Sequence, residues 1–169
     1  MNNLSTKTIE ILIQAGWEPN HKIDLNKTVK FLEAMGYQVF DSVIDALSHF
    51  GGKEYKFNHP DGSLETFHFI PEEAVGDYYE KEDFVEFEAR VKEPLIVVGE
   101  AYRGNLIMFI SKSGKVFGKN GYSLYKFGDD IYEALDTLCL FKKTGRNRLN
   151  SEAILLYEGV NKLVSEDFQ

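Results

Sequence analysis

The sequence predicts an α+β domain with helices at the amino terminus, a central and largely antiparallel sheet of about five to six strands, and helices at the carboxyl terminus. Three observations predict it. Apolar residues recur at helical spacing before residue 51 and again after residue 129, and between 54 and 128 they fall into short alternating or continuous runs separated by glycine turns. The 169 residues, 43% apolar and 14% aromatic, suffice for one ordinary core. No internal repeat or low-complexity stretch interrupts them.

The first element is "STKTIEILIQAGW", a short helix with Ser5 as N-cap, Ile9, Leu12 and Ile13 on its apolar face, and Gly16 as the left-handed stop. "GWEPNHKID" cannot continue it, because Glu18 precedes Pro19 and is driven toward extended geometry. "DLNKTVKFLEAMG" repeats the pattern, with Asp24 as cap, Leu25, Val29, Leu32 and Met35 on one face, and Gly36 as stop. A third helix starts near Asp41 and places Val43, Ile44, Leu47 and Phe50 together. Gly51 is expected to be its left-handed terminator, and Gly52 to let the backbone pass close to a neighbour. Phosphate loops run from strand into helix, and this glycine pair leaves a helix, so it does not read as a nucleotide cradle.

Next comes a hairpin around "HPDGS". A three-residue Pro60-Asp61-Gly62 loop pairs His59 with Ser63, Phe57 with Glu65 and Tyr55 with Phe67. That register puts Tyr55, Phe57, Phe67 and Phe69 on one face, whereas a two-residue loop would scatter them. His68 then points to the opposite face, His59 sits at the turn and His49 on the preceding helix. These histidines lack zinc-ligand spacing, and no metal or cofactor is expected.

From Glu72 to Glu93 the chain carries nine acids and three bases. Tyr78, Tyr79, Phe84, Phe87 and Val91 interleave with them, and the spacing of the last three predicts a helix ending before Pro94. Such a stretch reads either as a solvated helix face or as a surface that meets a basic protein. Apolar runs Leu95 to Val98 and Leu106 to Ile110, then "KVFG" and "YSLYKF", predict an antiparallel meander. "GEAYRGN" lacks a following Lys-Ser or Lys-Thr and is a turn between strands, not a phosphate loop. "DDIYEALDTLCLF" predicts a core helix with Ile131, Ala134, Leu135, Leu138 and Phe141 inward, capped by Asp129 or Asp130. A basic loop, "KKTGRNRLN", precedes a last amphipathic helix capped by Ser151. The loop reads as a solvated linker in preference to an RNA site, because the whole chain is acidic.

Charge narrows the partners. Net charge is −8, from 27 acids and 19 bases, which disfavours a nucleic-acid backbone and favours a basic partner. The single Cys139, flanked by Leu138, Leu140 and Phe141, reads as a small buried apolar group, without a disulfide framework. No apolar run approaches a membrane span, and the amino terminus lacks the pattern of a signal peptide. A cytoplasmic protein without a membrane partner is expected.

Taken in order, Ala15, Gly16, Trp17 and Pro19, then Phe50, Gly51 and Gly52, then Val98, Gly99 and Glu100, then the Gly114 turn and the Ala134-Leu135 helix resemble the SUKH superfamily of bacterial immunity proteins, most closely its third subfamily. The resemblance spans roughly residues 5 to 140. The sequence departs from the family where Asn20 and His21 follow the Trp-Pro segment and where Val97 precedes Val-Gly. The resemblance implies an α+β immunity domain over 1–141, with 142–169 as a basic loop and helical extension packed on or flanking it. It also implies a non-catalytic protein that binds and blocks a cognate bacterial toxin, often a basic nuclease.

The residues themselves support binding over turnover, since no nucleophile with its base, carboxylate pair or ligand cluster can be nominated. The expected toxin-facing residues are Asp77, Tyr78, Tyr79, Glu82, Asp83, Glu86 and Glu88. Trp17 and Phe50 are core anchors, with a groove at a partly exposed Trp17 as the other reading. Two further classes stay open: a regulatory scaffold with a concave apolar pocket for a peptide or small molecule, and a metal-dependent hydrolase. The last requires His59 or His68 to meet carboxylates in space.

Overall fold

The computed structural model describes residues 4–142. The expected final helix, and the basic loop beyond Lys142, lie outside the described residues.

Ser5 caps α1 (Thr6–Gln14) through its hydroxyl, which accepts the Thr8 N–H, and Gly16 takes φ +96° just beyond the helix. In α2 (Asn26–Ala34) the expected face is shallower than the pattern implied. Only Leu32 is fully buried, and Asp24 accepts the Asn26 N–H one position outside the cap. α3 (Asp41–Phe50) buries Val43, Ala46, Leu47 and Phe50. Its two terminal glycines exchange their expected roles. Gly51 is extended at φ −77°, and a Cβ there would strike the Leu47 carbonyl. Gly52 holds the left-handed φ of +74°.

Six strands form one antiparallel meander in chain order: β1 (Glu54–Asn58), β2 (Leu64–His68), β3 (Leu95–Ala101), β4 (Leu106–Ser111), β5 (Val116–Asn120) and β6 (Ser123–Gly128). The β1–β2 register is the expected one, Tyr55 opposite Phe67 and Phe57 opposite Glu65, closed by Gly62 at φ +89°. Between β2 and β3 the chain forms α4 (Pro71–Val75), a 3₁₀ turn (Lys81–Phe84) and α5 (Val85–Val91). The last described helix is α6 (Ile131–Leu140), where Asp130 makes the cap by accepting the Glu133 N–H at 2.8 Å.

Strands β3 and β4 are buried almost throughout, which requires cover on both faces. Cross-strand pairing sets the faces apart. One carries Tyr55, Phe67, Ala101, Met108 and Ile110 under α1, α3 and α6. The other carries His68, Glu100, Phe109, Phe117 and Lys119 under α4, α5 and the 3₁₀ turn, with α2 against α4. A bulge between Val97 and Gly99 lets β3 switch from pairing only with β4 to pairing also with β2. None of the described helices is long and apolar enough to cross a membrane.

Candidate functional site

The acidic segment is anchored from beneath. Phe84 and Phe87 are buried against Phe109, with ring centroids 5.0 and 6.2 Å away, and they turn the 3₁₀ turn and α5 onto the sheet. The spacing that predicted this helix leaves Val85 about 200° from Phe87 around the axis, hence outward, and it is 55% exposed.

Several of the expected contact residues already serve the fold. Asp83 and Glu80 form a reciprocal capping box, in which Asp83 Oδ2 accepts the Glu80 N–H at 2.7 Å. Glu88 is half-buried and its Oε2 accepts the Leu95 N–H at 3.3 Å, fastening α5 to the start of β3. Tyr79 packs on Phe84 at 5.5 Å. Asp77, Glu82 and Glu86 face solvent, as does Tyr78, which is 88% exposed.

Two of the three interleaved bases pack against the fold, whereas Lys92 is exposed. Lys81 donates to the Gly36 carbonyl and lies over the Tyr37 ring; Arg90 donates to the Tyr122 carbonyl and lies over Phe87. Lys119, from β5, lies over both Tyr79 and Phe87 at 5.5 and 5.3 Å. Its burial lowers its pKa, and the nearby Asp83 opposes that shift. All the cation–π contacts among the described residues are on this face. The amine charges are thus held against aromatic rings while Glu82 and Glu86 project outward.

Two residues of this face were not singled out from the sequence. Val85 is one, and its phase on the helix was the available signal. Tyr122 is the other, 75% exposed in the β5–β6 turn and tied to α5 by Arg90. A turn tyrosine carries no periodic signal that would bring it to α5. Beside the patch, between α2 and the end of α4, an open cleft of about 370 Å³ has Phe31, Met35, Val75 and Tyr79 at its base and Glu80 and Glu82 at its rim.

Trp17 stacks on Phe50 at 5.4 Å and donates its indole N–H to the His49 carbonyl at 3.0 Å. Trp17 does line a cleft of about 380 Å³ with Ile23, Lys53 and Tyr55, whereas Phe50 is buried below it and is no part of its wall. Another cleft, about 740 Å³, runs along the α2–α3 connection and the start of β3. It is open, and Lys81, Lys112, Asp41 and Glu88 make its lining mixed in charge.

The structure does bring His68 to carboxylates. Its Nε2 is 2.8 Å from Glu100 and 3.7 Å from Glu73. However, Nδ1 accepts the Ile70 N–H at 3.1 Å, which fixes the proton on Nε2, where it is donated to Glu100. Neither nitrogen of this buried ring retains a free lone pair for a metal or for proton abstraction. His59 is engaged differently, in the turn beside Asp61 and on the Phe141 ring. Among the described residues no group of three or more His, Cys, Asp or Glu could hold a metal ion.

Comparison with curated proteins and with solved structures returns no match. The family model for SUKH-3 immunity proteins matches residues 4–140, nearly the whole described chain from α1 through α6. The chain therefore belongs to the SUKH-3 immunity protein family.

Proposed function

We propose that this protein neutralises a cognate bacterial toxin by covering it, without chemistry, using the face formed by the acidic segment and the β5–β6 turn. The observation that supports this reading is the clustering of exposed Tyr78, Tyr79, Val85 and Tyr122 with outward carboxylates on a segment fastened rigidly to the sheet. Isolated exposed apolar groups are ordinary; several beside unpaired charges of one sign are how a soluble surface meets an oppositely charged protein. The carboxylates steer a basic partner and the aromatic groups slow its release. The cleft between α2 and α4 adds Met35 and Tyr79 as apolar contact area beside Glu80, Lys81 and Glu82. A cytoplasmic site of action follows from blocking a toxin in the producing or recipient cell.

The test is Glu82→Lys with Glu86→Lys, which spares the capping Asp83 and the strand-binding Glu88. Against a toxin domain that co-purifies with the wild-type chain, association slows by about tenfold at low salt and the difference shrinks at high salt. The unfolding midpoint stays within about 0.5 kcal/mol of wild type. Unchanged association would remove this face from the mechanism, and turnover of any substrate by the chain's own side chains would end the non-catalytic reading.

A further inference from the structure

The β5–β6 turn is held more firmly than its own hairpin requires. Asn120 pairs with Ser123, so the loop is two residues, and Gly121 at φ +56° supplies the positive dihedral that closes such a turn. Nothing lies within 4 Å of the Gly121 Cβ position, and Tyr122 projects with 75% of its surface exposed. A loop tip without packing of its own is ordinarily mobile. Here two cations reach its consecutive carbonyls. Arg90 of α5, 32 residues away in sequence, donates from Nη1 to the Tyr122 carbonyl at 2.6 Å, and Lys119 Nζ lies 3.5 Å from the Gly121 carbonyl.

Both cations are themselves fixed over one buried ring. The Arg90 guanidinium carbon is 5.6 Å and Lys119 Nζ 5.3 Å from the Phe87 centroid. α5 does not need Arg90 for its own attachment, because Phe87 packs on Phe109 and Glu88 accepts the Leu95 N–H. What the clamp adds is a position for Tyr122. At about 100° per residue, Arg90 lies about 40° from Glu86 and about 60° from Phe87 around α5, so the turn it holds is brought in beside the outward Glu86. Ordering two long cationic side chains costs conformational entropy, and an exposed aromatic group that a partner finds already in place offsets that cost on binding.

We propose that Tyr122 is the aromatic anchor of the toxin-facing surface and that Arg90 is its positioning residue. Arg90 holds the turn so that the ring meets the stem of a lysine or arginine side chain of the partner while Glu86 meets the charge. This rests on the acidic face being the one that meets the toxin. Tyrosine suits the role because its two side-chain torsions leave little freedom to lose on contact.

Two measurements test this. In the free protein, amide order parameters at Gly121, Tyr122 and Ser123 should be about 0.85, as for rigid backbone, and should fall below about 0.6 in Arg90→Gln, with those at Phe87 and Phe109 unchanged. Arg90→Lys, whose amine can still reach a ring and a carbonyl, should restore most of the order. Against a toxin domain that co-purifies with the wild-type chain, Tyr122→Ala should speed dissociation about tenfold and leave association unchanged. Arg90→Gln should speed dissociation about fivefold, and no further in the Tyr122→Ala background, because it acts through that ring. A turn that stays rigid in Arg90→Gln, or additive effects of the two changes on dissociation, would overturn the positioning role. Unchanged dissociation in Tyr122→Ala would overturn the anchor. If Glu82→Lys with Glu86→Lys still slows association in that case, the acidic face stands without Tyr122; if neither variant changes binding, the face itself is wrong.

Discussion

Gly99 is the most severe packing test in the fold. Its φ is not in the left-handed region, so alanine is conformationally permitted there and any cost is steric. A Cβ on Gly99 overlaps the His68 carbonyl oxygen and lies 2.9 Å from both the His68 carbonyl carbon and the Phe69 Cα. The obstacle is backbone, and no rotamer change relieves it. β2 must retreat from β3, yet only two residue pairs, Phe67 with Ala101 and His68 with Glu100, hold them together. Losing two net hydrogen bonds costs about 2 kcal/mol, and weakening the charge-assisted His68–Glu100 contact adds about 1–2 kcal/mol. Gly99→Ala should thus destabilise by about 3–5 kcal/mol, or about 10 °C in a chain of this size. Urea unfolding followed by Trp17 fluorescence gives the midpoint and slope, and the slope should not change. Gly62→Ala is the control, because Gly62 has φ +89° and nothing within 4 Å of its Cβ position, which leaves only the left-handed penalty of about 1–2 kcal/mol. If Gly99→Ala costs no more than Gly62→Ala, the close-approach argument for the bulge is wrong.

Cys139 is 2% exposed and burial pushes its thiol up to about 12, so iodoacetamide at pH 8 should label it only after unfolding; labelling of the native protein at the rate of a free thiol would contradict this packing. Burial acts to raise the Glu93 carboxyl, but hydrogen bonds from Ser113 and the Lys115 ammonium outweigh it and hold the pKa below its ordinary value. Its contribution is therefore complete above the unfolded pKa of about 4.3 and is lost as pH falls through the lower folded value. Glu93→Gln should cost about 1 kcal/mol at pH 7 and flatten the acid limb of the stability curve, measured by urea unfolding from pH 7 to 3; an identical acid limb would refute the role.

Local features were legible wherever the determining contact lies within a few residues. The Ser5 cap, the Gly16 and Gly36 stops and the Pro60-Asp61-Gly62 loop depend on side chains acting on their own backbone, and the hairpin register depends on a period of two. The roles of Gly51 and Gly52 were not legible in this way. Their exchange depends on the Leu47 carbonyl beneath Gly51 and on the departure of the chain toward the Phe69 carbonyl, which accepts the Gly52 N–H at 3.4 Å. Likewise Glu88 and Asp83 read as surface acids, since a composition count cannot distinguish a carboxylate that receives a backbone N–H from one in water.

From the sequence alone came the α+β class, the order of helices and strands, the aromatic core face of the hairpin and the concentration of negative charge between Glu72 and Glu93. These follow from periodicity and local stereochemistry, which need no knowledge of neighbours. Only the tertiary structure decided that Tyr122 joins α5, that Lys81 and Lys119 are spent on aromatic rings, and that His68 has both nitrogens committed. Each of those depends on which distant segments a six-stranded meander brings together, and long-range pairing leaves no trace in the spacing of residues along the chain.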